Sequence, residues 1–515
     1  MIPITAYESK RVAVFGLGIS GFSAAAALTA GGAAVIVYDD TEARLNEAVA
    51  KGFVVSDLKT ADWSQIDALV LSPGVPLTHP KPHWVVEKAR AAFVPVIGDT
   101  ELFFSEYLLH NTEANTAEAN TGDSDVSPSK TQADQVIVIT GTNGKSTTTA
   151  LTTHILQEAG ERAVMGGNIG FGVLDMPQFG EGHIYVLELS SYQIDLTPSL
   201  KPTAAGLLNI SPDHIDRHGT VENYAAVKAR IFDQLSGGVN GGDELPSGLG
   251  VLSVDDSYCR MIAHDMPPGG RFQFVSSEAG IAEGAVISEQ GFQLIEGGVA
   301  TREFDLTMAR SLRGRHNAQN AAFAFLLARA VTENHEGLVA GLLSFPGLAH
   351  RMQEVGSLFV GDRRVLFIND SKATNAEASQ QALKSFDDIY WIAGGRAKEG
   401  GIESLIPHLG AVRQVFLIGE AAEMFAETLD EAGIAYEICG EMDTAVTAAL
   451  RAAVSADISS EMVADGFETP VNEVAVLLSP AAASFDQYPN FEVRGGAFSE
   501  IVSKIKDVTQ PGEGG

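Results

Sequence analysis

The chain has 515 residues, 45% of them apolar and 19% charged, a globular composition with room for about three domains at roughly 150 residues each. With 34 basic against 66 acidic residues the net charge is −32, which disfavours nucleic acid and anionic membrane as general partners but leaves room for a phosphorylated small molecule in a local pocket. Cys259 and Cys439 are too few for a disulfide framework, no apolar run approaches the ~20 residues of a membrane span, and the N-terminus lacks a signal-peptide pattern, so a cytoplasmic protein is expected.

Residues 11–103 alternate between strand and helix signals. "RVAVFG" reads as a buried strand, "SAAAALTAGG" as a helix closed by glycine, and "AVIVYDD", "DALVLSPG" and "VPVIGDTELF" as further strands, which predicts a parallel sheet. "GLGISG", Gly16 to Gly21, follows the first strand and Asp39 ends the second, the spacing of a dinucleotide-binding turn with an acid for a ribose hydroxyl. At this point NAD, another nucleotide's diphosphate and a purely structural turn all stay open. Residues 110–135 hold almost no large apolar side chains, so they are expected to form an acidic flexible insertion between a first domain, 1–109, and a second, 136–347.

The second block opens on "VIVITGTNGKSTTT": strand, glycine turn, Lys145-Ser146, then helix. That order aims backbone N–H groups and a helix N-terminus at an anion, with Lys145 for the β/γ-phosphates and Ser146 for Mg²⁺. The standard phosphate-loop pattern needs glycine where Ile139 stands, so this is a variant or a bare turn. Glu188 ends the apolar "YVLELSS", where a cation would compensate a buried carboxylate and a hydrogen-bonded structural glutamate is the ordinary alternative. "NISPDHIDRHG" gathers His214, His218, acids and an arginine in one loop, a metal or anion candidate, although either histidine alone, or Lys228 in "YAAVKARIF", would ordinarily be a surface residue. "AAGLLNIS" and "LGVLSVD" are further strands, "SGGVNGGDELPSG" an insertion, and "HNAQNAAFAFLLARAV" a helix.

The third block, 348–515, reads as another open parallel sheet from "VLFIND", "IYWIAGG", "QVFLIGE" and "VAVLLSP". "FINDSKATN", "AGGRAKEGG" and "LLSPAAASFDQYPNFEVRGGAF" put polar, glycine- and serine-rich loops at strand ends, which suggests a substrate cleft.

In that order, TGTNGKST, ELSSYQ, NISPDHIDRH, YAAVKARI, GRHNAQNAAFA, HRM with FINDSKATN, and LSP with FDQYPNFEVRG closely resemble the Mur ligases, ATP-dependent amide-forming enzymes of peptidoglycan precursor synthesis. The resemblance spans nearly the whole chain. GTNGK is shared with folylpolyglutamate synthases, whereas FINDSKATN with an N-terminal GLGISG is similar to the D-glutamate-adding branch. The resemblance implies three α/β domains: Rossmann-like, central P-loop-type ATPase with a mostly parallel sheet, and a second Rossmann-like domain.

It also implies roles. Gly141, Thr142, Asn143, Gly144, Lys145, Ser146 and Thr147 would bind ATP phosphates, Asn317 and Asn320 adenine, and Arg351 and Asp370 ADP. Two Mg²⁺ sites would draw on Ser146, Glu188, His214 and a carbamylated Lys228, with Lys145, Glu188, His214 and Lys228 as the catalytic set. Gly18, Ile19, Ser20, Asp39, Asp40, Ser72, Pro73, Gly74 and Asn168 would hold the UDP substrate, and Lys372, Thr374, Lys398, Ser484, Phe485 and Phe491 D-glutamate. The implied reaction adds D-glutamate to UDP-N-acetylmuramoyl-L-alanine through an acyl phosphate, in a monomer that binds neither nucleic acid nor membrane. Two departures from the family pattern stand out. Arg396-Ala397 precedes the lysine where a Gly-Asp-Gly-type turn is common, and Asp39-Asp40-Thr41 carries no basic residue. A sibling ligase for another amino acid, an NAD-dependent oxidoreductase and a binding-only protein are the alternatives.

Overall fold

The computed structural model describes residues 1–120, 133–235, 248–266, 270–361, 363–397, 400–455 and 472–509. Among them three sheets form. The first, in order β2-β1-β3-β4, is parallel and uses β1 (Arg11–Phe15), β2 (Ala34–Tyr38), β3 (Ala68–Leu71) and β4 (Val96–Ile97). Helices α1 (Ile19–Ala30), α2 (Glu42–Ala50) and α3 (Trp84–Ala91) connect these strands. The run expected as a long fourth strand pairs only over β4, because Asp99 starts a helix, α4 (Asp99–Asn120). That helix carries the chain through the first part of the expected linker, and residues 121–132 lie outside the described residues.

The central sheet has nine strands in order β13-β12-β11-β10-β9-β8-β5-β7-β6. Its parallel part comprises β5 (Gln135–Thr140), β6 (Ala163–Gly167), β7 (Ile184–Glu188), β8 (Ala204–Leu207), β9 (Leu249–Ser253), β10 (Arg271–Ser276) and β11 (Gly284–Ile287). Then β12 (Gly291–Glu296) and β13 (Val299–Asp305) extend it antiparallel through a Gly297-Gly298 hairpin with φ of +59° and +77°. The helices here are α5 (Lys145–Glu158), α6 (Ser191–Asp195), α7 (Ile215–His218), α8 (Val221–Ala229), α9 (Ser257–His264), α10 (Arg315–Ala328) and α11 (His335–Ser344). Helix α5 is threonine-rich, a poor composition for an exposed helix. It is stabilised by burial, and Thr152 and Thr153 return their hydroxyls to the Thr148 and Thr149 carbonyls at 2.7 and 2.9 Å.

One apolar core joins the first two sheets: Val12, Val14 and Val70 pack in the same cluster as Val136, Val138 and Leu187, bridged by Leu102, Phe103 and Phe104 of α4. Residues 1–306 and 317–344 accordingly form one compact unit. The second unit, 307–316 with 345–515, carries a six-stranded sheet in order β14-β15-β19-β16-β17-β18. Its strands are β14 (Gln353–Val360), β15 (Arg363–Asn369), β16 (Ile389–Gly394), β17 (Val412–Ile418), β18 (Tyr436–Gly440) and β19 (Asn472–Leu478). All pair in parallel except β14, which runs antiparallel to β15. Helices α12 (Ala376–Leu383), α13 (Ala422–Ala432), α14 (Met442–Ser455) and α15 (Phe491–Ser503) complete it. Leu366, Trp391 and Leu417 fill one face of the sheet, and Val365, Ile392 and Phe416 the other. Among the described residues no helix is long and apolar enough to cross a membrane.

Candidate active site

The glycine turn after β5 has the geometry of a phosphate cradle. Gly141 (φ +153°) and Gly144 (φ +83°) sit where side chains would be strained, and a Cβ on Gly144 would lie 2.6 Å from Asn320 Oδ1. Asn209 pins the first half of the loop: its carbonyl accepts from Thr142 N at 2.9 Å and its Oδ1 from Asn143 N at 2.8 Å. Thr142 Oγ1 also lies 3.2 Å from Tyr224 Oη. The helix ladder of α5 begins with Thr148 N donating to Gly144 O, so the N–H groups ahead of Thr148, including that of Thr147, point outward along the helix axis. Lys145 folds back, Nζ donating to Gly141 O at 3.0 Å and Thr142 O at 2.6 Å, and Ser146 is buried in the first turn.

Beside the loop, on the neighbouring strand β7, Glu188 is 1% exposed. Its Oε1 accepts from Asn168 Nδ2 at 3.0 Å, but Oε2 is buried and, among the described residues, has no hydrogen-bond partner. An orphaned carboxylate oxygen at a strand end is costly unless a cation meets it, and this is the observation on which the residues fit a divalent metal. Asn168, expected to touch the UDP substrate, thus stands just after β6 against Glu188. Among the described residues no three His, Cys, Asp or Glu side chains converge as a metal cluster on their own.

Lys228, on α8, reaches the same turn. It is 1% exposed and its Nζ donates to Thr140 Oγ1 at 3.0 Å and Gly141 O at 2.9 Å. Burial holds this amine well below the usual lysine range, and the charge of Lys145 pushes the same way. After β8, His214 stands at φ +53° as the N-cap of α7, its Nδ1 3.0 Å from Tyr192 Oη. His218 is instead buried against Ser191 Oγ at 2.9 Å, and burial with the charge of Arg217 brings it down to about 4, so it is neutral at pH 7. Asn317 and Asn320 lie buried on α10, where Asn320 donates to Asn317 Oδ1 at 3.1 Å and accepts from Thr148 Oγ1 at 3.2 Å, packing α10 against the phosphate turn.

The first sheet brings its expected residues together at the carboxyl ends of β1, β2 and β3. Gly18 caps α1, Ile19 is 89% exposed at its start with Ser20 next, and the Ser72-Pro73-Gly74 turn packs on Gly16, whose added Cβ would meet Ser72 Cβ at 2.6 Å. Asp39 is already engaged: Oδ2 accepts from Leu17 N and Oδ1 from Thr41 N, at 2.7 and 2.8 Å, so it braces the glycine turn. The basic residues missing next to Asp40 in sequence arrive from elsewhere. Lys59 Nζ lies 3.4 Å from Asp40 Oδ1, while His83 Nε2 and Trp84 Nε1 both lie 3.1 Å from Oδ2. Desolvation raises the Asp40 carboxyl, but Trp84, Lys59 and His83 outweigh it and leave it below its ordinary value. Sequence reading missed Lys59, His83 and Trp84 because nothing local ties them to Asp40.

In the second unit, Arg351 lies between two left-handed residues, His350 (φ +63°) and Met352 (φ +47°). Asp370 follows directly on β15 and is buried, accepting from Ser479 Oγ at 2.8 Å and Met352 N at 3.2 Å; burial raises it to about 7 against the pull of these bonds and of Arg351. Lys372 Nζ stands 3.9 Å from the Phe491 ring centroid, Thr374 N donates to Lys372 O at 2.8 Å, Ser484 is buried, and Phe485 is 64% exposed. Lys398 lies outside the described residues. Arg494, another residue sequence reading missed, is 1% exposed and bonds Ser371 Oγ and O, Gly394 O and Ala482 O, tying the three strand-end loops together.

Comparison with known proteins aligns with this layout. The Mur ligase MurD-like N-terminal domain matches residues 10–98, the Mur ligase middle domain 139–328, and the Mur ligase glutamate ligase domain 350–459. A UDP-N-acetylmuramoylalanine–D-glutamate ligase from Nitrobacter winogradskyi is 48% identical over 510 residues, covering 99% of both chains. A protein of the same name from Agrobacterium fabrum is 46% identical over 523 residues, covering 100% of both. In fold, the chain is similar to the crystal structure of a UDP-N-acetylmuramate-alanine ligase from Thermotoga maritima, with a TM-score of 0.50 at 16% identity over 95% of this chain and 98% of that one. Because the three domain matches fall in order on the three sheets and the relatives align from end to end, the chain belongs to the Mur ligase family.

Proposed function

We propose that this chain is the ligase that joins the amine of D-glutamate to the L-alanyl carboxylate of UDP-N-acetylmuramoyl-L-alanine, converting ATP to ADP and phosphate, in peptidoglycan precursor synthesis. The observation that carries the reading is the end-to-end identity of 48% to a relative of that name. The glycine turn, Lys145 and the orphaned Glu188 oxygen supply the chemistry the reaction demands.

A carboxylate does not condense with an amine in water because hydroxide is a poor leaving group. We infer that the γ-phosphoryl group of ATP passes to the substrate carboxylate, that the D-glutamate nitrogen attacks the acyl phosphate, and that phosphate leaves as the amide forms. We assign Gly141 to Thr147 to the phosphates, with Lys145 exchanging its two loop carbonyls for phosphate oxygens, and Asn317, Asn320, Arg351 and Asp370 to the rest of the nucleotide. Bound Mg²⁺ supplies positive charge where phosphate and carboxylate oxygens crowd. Ser146 and Glu188 would hold one ion, His214 and a carbamylated Lys228 a second. Burial makes the Lys228 amine give up its proton more readily than an ordinary lysine, which favours the lone pair that adding carbon dioxide requires, and the carbamate turns a donor into an oxygen ligand.

The first-sheet turns with Gly18, Ile19, Ser20, Asp39, Asp40 and Ser72 to Gly74 take the UDP moiety in our assignment, and Asn168, which orients Glu188, faces the reacting end. Lys372, Thr374, Lys398, Ser484, Phe485 and Phe491 take D-glutamate, whose two carboxylates call for the lysines. We assign the enzyme to the cytoplasm, where ATP is supplied, and to a monomeric state. Asp39, with both oxygens bonded to backbone N–H groups, favours a bracing role over NAD ribose recognition. The test is phosphate release with ATP, Mg²⁺ and UDP-N-acetylmuramoyl-L-alanine: release with D-glutamate and none with L-glutamate is expected, and equal release with both, or with neither, would overturn the substrate assignment.

A further inference from the structure

Tyr192 carries a hydroxyl that the reading above leaves unused, and it bonds the His214 ring directly. Tyr192 Oη lies 3.0 Å from His214 Nδ1, with the ring centroids 5.0 Å apart. Each partner is held from outside this contact. Tyr192 sits in α6, whose start is fixed by a reciprocal cap: Ser190 Oγ accepts from Gln193 N and Ser190 N donates to Gln193 Oε1. Its ring is flanked by the Arg217 guanidinium at 5.2 Å and the His218 ring at 5.7 Å. The backbone of His214 is in the left-handed region, a placement that costs energy for a non-glycine residue, and its carbonyl accepts from Arg217 N at 3.0 Å and His218 N at 3.1 Å. The other ring nitrogen, Nε2, lies 3.5 Å from Asp213 Oδ2.

An imidazole can give Nε2 to a cation only when its proton sits on Nδ1, and that Nδ1–H then needs an acceptor. An acceptor on the far nitrogen is how proteins fix the tautomer and the ring plane of a metal-binding histidine. Tyr192 Oη is in place to accept. A phenol can also donate, so the contact survives with the proton on Nε2, where it faces Asp213. A carboxylate or carbonyl at the same place could serve only one of the two tautomers.

We propose that Tyr192 is a positioning residue that anchors the His214 ring in both tautomers and accepts a hydrogen bond from Nδ1–H when Nε2 serves a divalent cation. The inference rests on the assignment of His214 to a cation. It also links the two cation-side loops, because α6 follows directly on the strand that ends in Glu188.

Tyr192→Phe keeps the ring and removes only the hydroxyl. The test uses the full chain with ¹⁵N-labelled histidine, the His214 signal being identified by its loss in His214→Gln, titrated with Mg²⁺ in the presence of the non-hydrolysable analogue AMP-PCP. In the wild type the His214 nitrogens are expected to move to the Nδ1–H pattern as Mg²⁺ is added. In Tyr192→Phe the midpoint should rise about 10-fold or more, with a mixed tautomer pattern. If His214→Gln raises the Mg²⁺ midpoint and Tyr192→Phe changes neither midpoint nor tautomer, Tyr192 is a packing residue and the inference falls while the His214 assignment stands. If His214→Gln leaves the midpoint unmoved, the His214 assignment itself falls and the inference with it.

Discussion

The turn after β1 and the turn after β5 are built to the same plan, a parallel strand broken by glycines and followed by a helix, yet they differ in what crosses them. At β5 two lysines converge: Lys145 bonds the carbonyls of Gly141 and Thr142, and Lys228 shares that of Gly141. At β1, among the described residues, no lysine bonds the glycine turn. The loop is braced by the carboxylate of Asp39, and its charged partners, Lys59 and His83, gather on Asp40. The glycines differ too. Gly144 is packed, with a Cβ position 2.6 Å from Asn320, whereas Gly18 has nothing within 4 Å of where a Cβ would stand. In the proposed reading both turns approach a phosphate, and what separates them is the charge brought there, two lysines at β5 and a carboxylate brace at β1.

The largest way to break this contrast is Lys145→Ala. Phosphate release should fall by about 10²–10³-fold or more while the thermal midpoint stays close to wild type, because the lost group acts on developing charge and not on the core. Activity within a few-fold of wild type would reduce Lys145 to a loop brace. A second experiment pairs Gly144→Ala with Gly18→Ala. The first combines a left-handed φ with a steric clash and should cost about 1–3 kcal/mol of stability along with nucleotide binding; the second should stay within about 0.5 kcal/mol of wild type in denaturant unfolding. Equal losses from both would show that the two turns are packed alike.

A third experiment concerns a strand end of another kind, in the second unit, where a buried acid stands. Asp370 is raised to about 7, above its ordinary 3.8, so the folded state keeps a proton that the unfolded state has lost. The stability this contributes is complete below about pH 3.8 and is lost as pH rises through about 7. Asp370→Asn, which keeps the side chain neutral, should flatten that part of the profile and make the protein more stable than wild type at pH 8 than at pH 5. An unchanged stability profile between pH 5 and 8 would mean that Asp370 is ionised throughout.

Much of this was legible because buried parallel strands are apolar runs: "RVAVFG" and "VIVITG" read directly as β1 and β5, and the glycines after them as turns. The hairpin of β12 and β13 was missed although Gly297-Gly298 between two strand-like runs is a hairpin signal, and the antiparallel edge strand β14 was missed although Gly361, at φ +61°, stands in the short link to β15. The 110–120 stretch read as linker from its composition, yet it continues α4, since a helix already anchored by Leu102, Phe103 and Phe104 extends at little cost per residue. Site residues that contribute a backbone or a charge at a strand end could be found by motif. Residues that work by meeting another side chain across the fold, such as Asn168 on Glu188, Lys59 on Asp40 and Arg494 on Ser371, leave no local trace.

The second unit is visited twice by the chain, briefly over 307–316 and then from 345 onward. The brief visit is not idle: Ser311 Oγ donates to Phe345 O, and Arg313 pairs with Glu473, which also accepts from the buried Arg364 at 2.9 Å. The seam of this protein is therefore not a single point. A fragment beginning at Phe345 would strip Glu473 of one of its guanidinium partners and open the edge where Ser311 sits. Anyone exchanging this unit between relatives must move two stretches of sequence together, and recombination with a single crossover near 345 would join halves that no longer complete each other.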